Sequence, residues 1–392
     1  QLTIIPPMIN FIIYLISFFF TEATSPKENA QVNPVSEQVL FVAGEGGYHT
    51  YRIPSLIVAA DGSVLAFVEG RKAGSSDTGD IDVLMKKSTD GGLTWSKQNV
   101  IWDKGETVCG NPNPVLDETT GEIHLLLTWN RGDDHEGDII TKKSKDTRRV
   151  FVMKSTDNGD SWTEPSDITK TTKDPSWGWY ATGPGVGVQI KHGPNKGRLV
   201  IPANHSYDDP KGNVRGGPYE YGSHVIYSDD HGATWALGGT IKPKMNESQL
   251  IEMADGKGTL LMNMRSYFGK NRRALSVSND GGVSWSDPVE ATSLIEPVCQ
   301  AAFIRYSWPD DKAEDLVLFS NPASTKRENM TIKLSKDSGK TWIASKVLNQ
   351  GPSAYSALAA LPNGEILCLY EKGEKNPYEK LVLARLSLDN LQ

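Results

Sequence analysis

Five stretches of the chain mix β-branched or apolar residues with polar ones, and each stops at the same kind of octamer. IDVLMKK runs into STDGGLTW at residue 88, RVFVMK into STDNGDSW at 155, SHVIY into SDDHGATW at 228, RALSV into SNDGGVSW at 278, and NMTIKL into SKDSGKTW at 335. The first segment of each pair predicts a strand, and the octamer, S-x-D-x-G-x-[ST]-W, predicts the turn that closes a hairpin. In such a turn the Asp accepts backbone N–H groups, the Gly supplies a positive φ, and the Trp wedges into apolar space beside the hairpin. All three roles are structural.

Successive octamers start 67, 73, 50 and 57 residues apart. That spacing is too long for a helical solenoid and suits a four-stranded sheet with variable loops, a propeller blade. Long helical patterns are missing, and strands broken by Gly, Pro and Asn fill the chain. The expectation is an all-β, six-bladed β-propeller of four-stranded antiparallel sheets, since about 365 residues at roughly 60 per blade make six. Six blades and five octamers leave one blade without the turn.

Composition changes this picture little. The 392 residues are 38% hydrophobic with a net charge of −7, and Lys and Arg form no tracts, which argues against a nucleic-acid partner. Cys109, Cys299 and Cys368 lie far apart, without metal or disulfide spacing, and read as buried thiols. Residues 1–30 differ from the rest: MINFIIYLISFFF is an apolar run too short for a bilayer span, followed by small and polar residues, with a cleavage expected after Ala23. They read as a signal peptide and leader ahead of a catalytic propeller domain over residues 31–392. The protein is expected to be exported (extracellular, periplasmic or lysosomal), with no stable membrane span.

Candidate chemistry sits between the octamers. Arg52 in TYRIPSL and Arg265 in LLMNMRSY are embedded in strand-like apolar runs, where an unpaired guanidinium is costly to bury and needs an anion. Arg71 and Asp77 lie in FVEGRKAGSSD, and Arg327 in NPASTKRENMTI. YRIP, the five octamers, NESQLIEMADGKGTLLMNMRS, FSNPASTKRENMTIKLSKDSGKTW and GPSAYSALAAL…LYEKG, in that order, resemble the exo-α-sialidase (neuraminidase) family over roughly residues 38 to 388.

The resemblance implies a six-bladed propeller and a set of site residues. Arg52, Arg265 and Arg327 match an arginine triad that clamps the sugar carboxylate, and guanidinium forks suit that group. Arg71 matches a contact to the 4-hydroxyl region, as does Asn111 in CGNPNP. Asp77 matches the general acid/base, with Asp80 and Asp82 as rivals. Tyr355 matches the nucleophile, and Glu247 the carboxylate that activates it, with Glu252 as rival. Ala354 stands where the family often has Gly. Trp179 and Tyr180 offer either an apolar wall or blade core. Seven scattered His residues show no ligand spacing, so no cofactor or catalytic metal is expected.

The resulting expectation is a retaining exo-α-sialidase acting on sialylated glycans. A trans-sialidase and a non-catalytic sialic-acid-binding propeller are the alternatives. Sequons stand at Asn204, Asn246 and Asn329, and a glycan on Asn246 would obstruct the site beside Glu247.

Overall fold

The structure is a computed structural model that describes Thr3, residues 35–309 and residues 313–391. The predicted leader falls almost wholly outside the described residues. Asn33–Gln392 form one compact unit, and its strands sort into six four-stranded antiparallel groups.

Blade 1 holds Thr50–Val58, Val64–Arg71, Ile81–Ser88 and Asn99–Trp102. Blade 2 holds Thr107–Leu116, Ile123–Arg131, Arg149–Ser155 and Ser166–Asp167. Blade 3 holds Tyr180–Thr182, Leu199–Asp208, Tyr219–Ser228 and Ala236–Ile241. Blade 4 holds Met245–Glu252, Leu260–Ser266, Arg272–Ser278 and Val289–Ile295. Blade 5 holds Ala302–Ser307, Leu316–Pro322, Glu328–Ser335 and the first half of the long strand Ala344–Ala360. The second half of that strand opens blade 6, which continues with Ile366–Lys372 and Lys380–Leu386 and ends on Ser36–Val42. Innermost strands touch their neighbours around the ring, and Ala344–Ala360 returns to touch Thr50–Val58.

The apolar core is divided the same way. Six clusters of buried residues each fill one gap between adjacent blades. Because side chains alternate across a strand, one strand feeds two gaps. In Val64–Arg71, Val64, Ala66 and Val68 pack towards blade 6, while Leu65 and Phe67 pack towards blade 2. Both faces are therefore buried, which is why the middle strands read as near-continuous apolar runs.

Each octamer joins the third strand of a blade to its fourth. Ser228 Oγ donates to Asp230 Oδ1 at 2.8 Å, Thr234 N donates to the same oxygen at 2.8 Å, and Thr234 Oγ1 donates to Oδ2 at 2.6 Å. The other four turns repeat this pattern, and the fifth-position glycines take φ between +77° and +92°. Trp95, Trp162, Trp235, Trp285 and Trp342 pack against five different inter-blade cores.

The absence of a sixth turn has a topological cause. In blade 6 the outer strand, Ser36–Val42, comes from the far end of the sequence, so no hairpin connects it to Lys380–Leu386. At the gap between blades 5 and 6, Leu388 and Leu391 of a short 3-10 turn pack on the core where the series of tryptophans stops. Among the described residues helix is otherwise limited to Glu136–Ile140, Thr169–Thr172 and a 3-10 turn at Val214–Gly216, and none is long and apolar enough to cross a membrane. All three cysteines are buried free thiols.

Candidate active site

Besides a shift between Arg305 and Ser307 in blade 5, the inner strands of four other blades each break register at one place. The shifts fall between Arg52 and Ser55, between Gly110 and Asn113, between Met245 and Ser248, and between Ser353 and Ser356. A bulge re-aims the side chains around it, and these four spans hold Arg52, Asn111, Glu247 and Tyr355. All four line one cavity of about 340 Å³ at the centre of the ring, together with Arg71, Asp77, Arg265 and Arg327. Every site residue expected from the sequence is brought to this cavity.

At its floor Tyr355 is 5% exposed. Its Oη donates to Glu247 Oε1 at 2.5 Å, and Arg265 Nη1 donates to Glu247 Oε2 at 2.7 Å and to Tyr355 Oη at 3.2 Å. The guanidinium of Arg52 stands 4.9 Å from the Tyr355 ring centre and that of Arg327 5.5 Å. Three cations therefore converge on one phenol. Burial and the charge of Glu247 push the Tyr355 hydroxyl well above the ordinary tyrosine range, outweighing the arginines, which favours a neutral phenol.

Arg52 is held by a residue the sequence reading did not single out. Glu371 is fully buried, and its carboxylate accepts from Arg52 Nε at 2.9 Å, Ile53 N at 3.2 Å and Tyr355 N at 3.0 Å. It compensates Arg52, anchors Ile53, whose φ of +58° is unusual for a β-branched residue, and fixes the backbone under Tyr355. Burial opposes the charges of Arg52 and Arg265, but Glu371 and Glu247 together with Tyr355 and the other phenols nearby outweigh it and keep both guanidinium groups firmly charged. Arg327 donates to Tyr378 Oη at 2.6 Å, and Tyr378 also lies 4.2 Å from Arg52.

Across the cavity Arg71 donates to Glu69 Oε2 from Nε at 3.1 Å and from Nη2 at 2.7 Å, and contacts Asp77 Oδ1 at 2.7 Å. Asp77 is the exposed member, with 60% of its side chain open. Desolvation would raise its carboxyl, yet Arg71, Arg52 and Arg148 pull it below the ordinary aspartate range. The rivals are spoken for elsewhere: Asp80 and Asp82 pair with Lys72 at 3.0 and 3.1 Å, and Asp82 also accepts from Tyr48. Glu252 sits at the opposite mouth of the ring, where it accepts from Lys191 N and His192 N. That mouth opens on a separate hollow of about 400 Å³.

Of the two aromatics left open, Trp179 lines the cavity and Tyr180 does not. Tyr180 is fully buried in the core between blades 2 and 3. Asn246 is also in the cavity wall, its amide donating to Asn204 Oδ1 at 3.3 Å, and the Asn329 amide donates to Ala323 O at 3.1 Å.

A family model described as a BNR repeat-like domain matches residues 62–368. A sialidase of Paraclostridium sordellii is 31% identical over 370 residues, which take in 87% of this chain and 86% of the relative. The chain belongs to the sialidase family. A sialidase of Micromonospora viridifaciens is 34% identical over 363 residues, covering 90% of this chain but 54% of the relative, so the chain spans about half the length of that protein. The solved structure of Hadza microbial sialidase Hz136 superposes with a TM-score of 0.76 at 29% identity, covering 89% of this chain and 68% of that one.

Set among sialidases, the cavity contains more than the residues named from sequence. Glu371, Glu69, Arg148 and Tyr378 all belong to it or support it. Arg148 stands immediately before the strand-like run RVFVMK, and Glu371 stands in LYEKG, so both were visible as charges beside or within apolar runs, the signal that picked out Arg52.

Proposed function

We propose that the protein is a retaining exo-α-sialidase that hydrolyses terminal sialic acid from glycoproteins, glycolipids and oligosaccharides. The observation that carries this reading is the 2.5 Å hydrogen bond from Tyr355 to Glu247 inside a ring of three arginines. The arginines suit a carboxylate, and charge-assisted hydrogen bonds of this kind contribute about 1.5–3 kcal/mol each. A carboxylate on the anomeric carbon repels an Asp or Glu nucleophile. A phenol arrives neutral, and a phenol with a base in contact is the known exception to the two-carboxylate scheme of glycosidases.

In the first step Asp77 gives its proton to the glycosidic oxygen while Tyr355 Oη, losing its proton to Glu247, bonds to the anomeric carbon. The aglycone leaves as an alcohol. In the second step Asp77 takes a proton from water, the water oxygen bonds to the anomeric carbon, and Tyr355 departs with the proton returned by Glu247. Two inversions leave the configuration retained. Asp77 has to be protonated to start this cycle, and the arginines around it oppose that. A substrate carboxylate in the clamp offsets the charge of Arg52 and moves Asp77 in the required direction. The leader-like run at residues 1–30 makes an exported enzyme part of the proposal.

Proton NMR of the products from a sialoside, with and without lactose, tests the reading. The expected first product is free α-sialic acid. A β-anomer first excludes retention, a lactose adduct in place of free acid makes the protein a transferase, and no turnover makes it a binding module.

A further inference from the structure

Arg148 is a fifth arginine in the cavity, and of the five it alone combines full burial with the lack of a carboxylate partner among the described residues. It is 2% exposed, and no carboxylate pairs with it among the described residues. Nη1 donates to Asn130 Oδ1, and Nη2 donates to Asn111 Oδ1 at 2.5 Å and to Thr128 Oγ1 at 2.9 Å, while Nε, also buried, has no partner. One face lies 4.0 Å from the Trp179 ring centre. Burying an uncompensated guanidinium is costly, and burial indeed draws Arg148 down to about 10. An apolar side chain of similar size would pack against Trp179 without that cost, so packing alone does not account for an arginine here.

The surroundings of Asn111 do. Arginine only donates, so the amide atom facing Arg148 is the oxygen, and Thr128 Oγ1 donates to the same oxygen at 2.9 Å. The NH2 is turned away from both and makes no hydrogen bond among the described residues. The backbone is pinned on either side: Asn111 N donates to Glu69 Oε1 at 2.8 Å, and Asn111 O accepts from Thr182 Oγ1 at 2.6 Å. Asn111 holds φ of +51° within the bulge, a conformation that asparagine tolerates better than most residues. Arg148 is anchored in turn, because Lys173 Nζ donates to Arg148 O at 2.9 Å and to Gly178 O at 2.7 Å, joining the residue that leads into Arg149–Ser155 to the segment that carries Trp179.

We propose that Arg148 is a specificity-determining positioning residue, which fixes the Asn111 amide so that its NH2 alone faces the cavity and selects a hydrogen-bond acceptor oxygen on the sugar. The inference rests on the sialidase reading above. The oxygen recognised is a ring hydroxyl or the acyl oxygen of the amide substituent, on the part of the sugar held opposite the clamp.

The test compares kcat/KM on three fluorogenic sialosides: the parent, a 4-deoxy analogue, and an analogue whose acylamino group is replaced by hydrogen. The wild type is expected to disfavour one analogue by about tenfold, the scale of a single hydrogen bond. Arg148→Met should lose the parent's advantage, falling on the parent and hardly on that analogue, and Asn111→Ala should do the same. Combining the two should cost no more than either alone. Should Arg148→Met fail to fold, Arg148→Lys, which keeps the charge but cannot span Asn130 and Asn111, carries the comparison. Equal losses on all three substrates, or a double variant whose loss is the product of the single losses, would overturn the proposal. A folded wild type inactive on all three overturns the sialidase reading itself, a result distinct from equal losses in an active enzyme.

Discussion

The octamer turns at the rim and the cavity at the hub are built from overlapping polar residue types, yet they are wired in opposite ways. In the turn at Asp230 every carboxylate contact is to a residue at most four positions away. At the hub, Arg52 and Glu371 are 319 residues apart and Glu247 and Tyr355 are 108 apart. The turn carboxylates are satisfied where they stand and have no capacity left for a ligand. At the hub Arg52 with Glu371 and Tyr355 with Glu247 are satisfied across blades, and three guanidinium groups crowd around one phenol. Local closure gives a repeatable structural unit, whereas long-range closure leaves a site whose charges are best balanced once an anion arrives.

If this contrast is right, substitutions at the two places separate activity from stability. The largest effect is expected for Tyr355→Phe, which should lower kcat by roughly three orders of magnitude or more on any leaving group while barely moving the melting temperature. A comparable loss of cooperative folding would make the hub structural instead. Glu371→Ala should do damage of both kinds, because it strands the buried charge of Arg52 and frees the backbone of Tyr355. The expected cost is about 3–5 kcal/mol, read from denaturant unfolding, accompanied by weaker binding of an unsaturated sialic acid analogue.

Trp235→Ala should fall wholly on the structural side. Trp235 is 4% exposed and meets His124 edge-on at 5.9 Å, so its loss should cost about 3–5 kcal/mol with activity per folded molecule nearly intact. A collapse in turnover without a change in melting temperature would break the comparison. The smallest effect concerns Asp77. Its carboxyl lies below the ordinary range in the free enzyme, and only the protonated form donates, so the competent fraction shrinks as pH rises. On a natural sialoside log kcat/KM should fall by about one per pH unit above that pKa. On a nitrophenyl sialoside, whose leaving group needs little protonation, the slope should flatten. Parallel slopes would remove Asp77 as the acid.

The same contrast explains what the sequence made legible. Five turns that close within eight residues leave a repeated word, and their spacing is enough for the blade count. The sixth blade's missing turn could be counted but not explained, because Ser36–Val42 pairs with Lys380–Leu386 from the other end of the chain. At the hub, the residues carried over by family resemblance all reached the cavity. Glu371 and Arg148 were passed over, since nothing in their neighbourhoods encodes a partner hundreds of residues away or the amide of Asn111. Trp179 and Tyr180 show the limit at single-residue scale, for adjacent residues on an extended chain face opposite ways and no local signal says which meets the cavity. Nothing near Asp77 in the sequence shows that Lys72 pairs with both of its rivals, Asp80 and Asp82.

The central claim is that Tyr355, activated by Glu247, bonds to the sugar. Incubation with a fluorinated sialosyl fluoride, which slows the second step, followed by digestion and peptide mass spectrometry, measures this directly. The account predicts a single sialosyl adduct on the peptide containing Tyr355, absent from Tyr355→Phe. An adduct on any other residue, or an undiminished adduct in Tyr355→Phe, would contradict it.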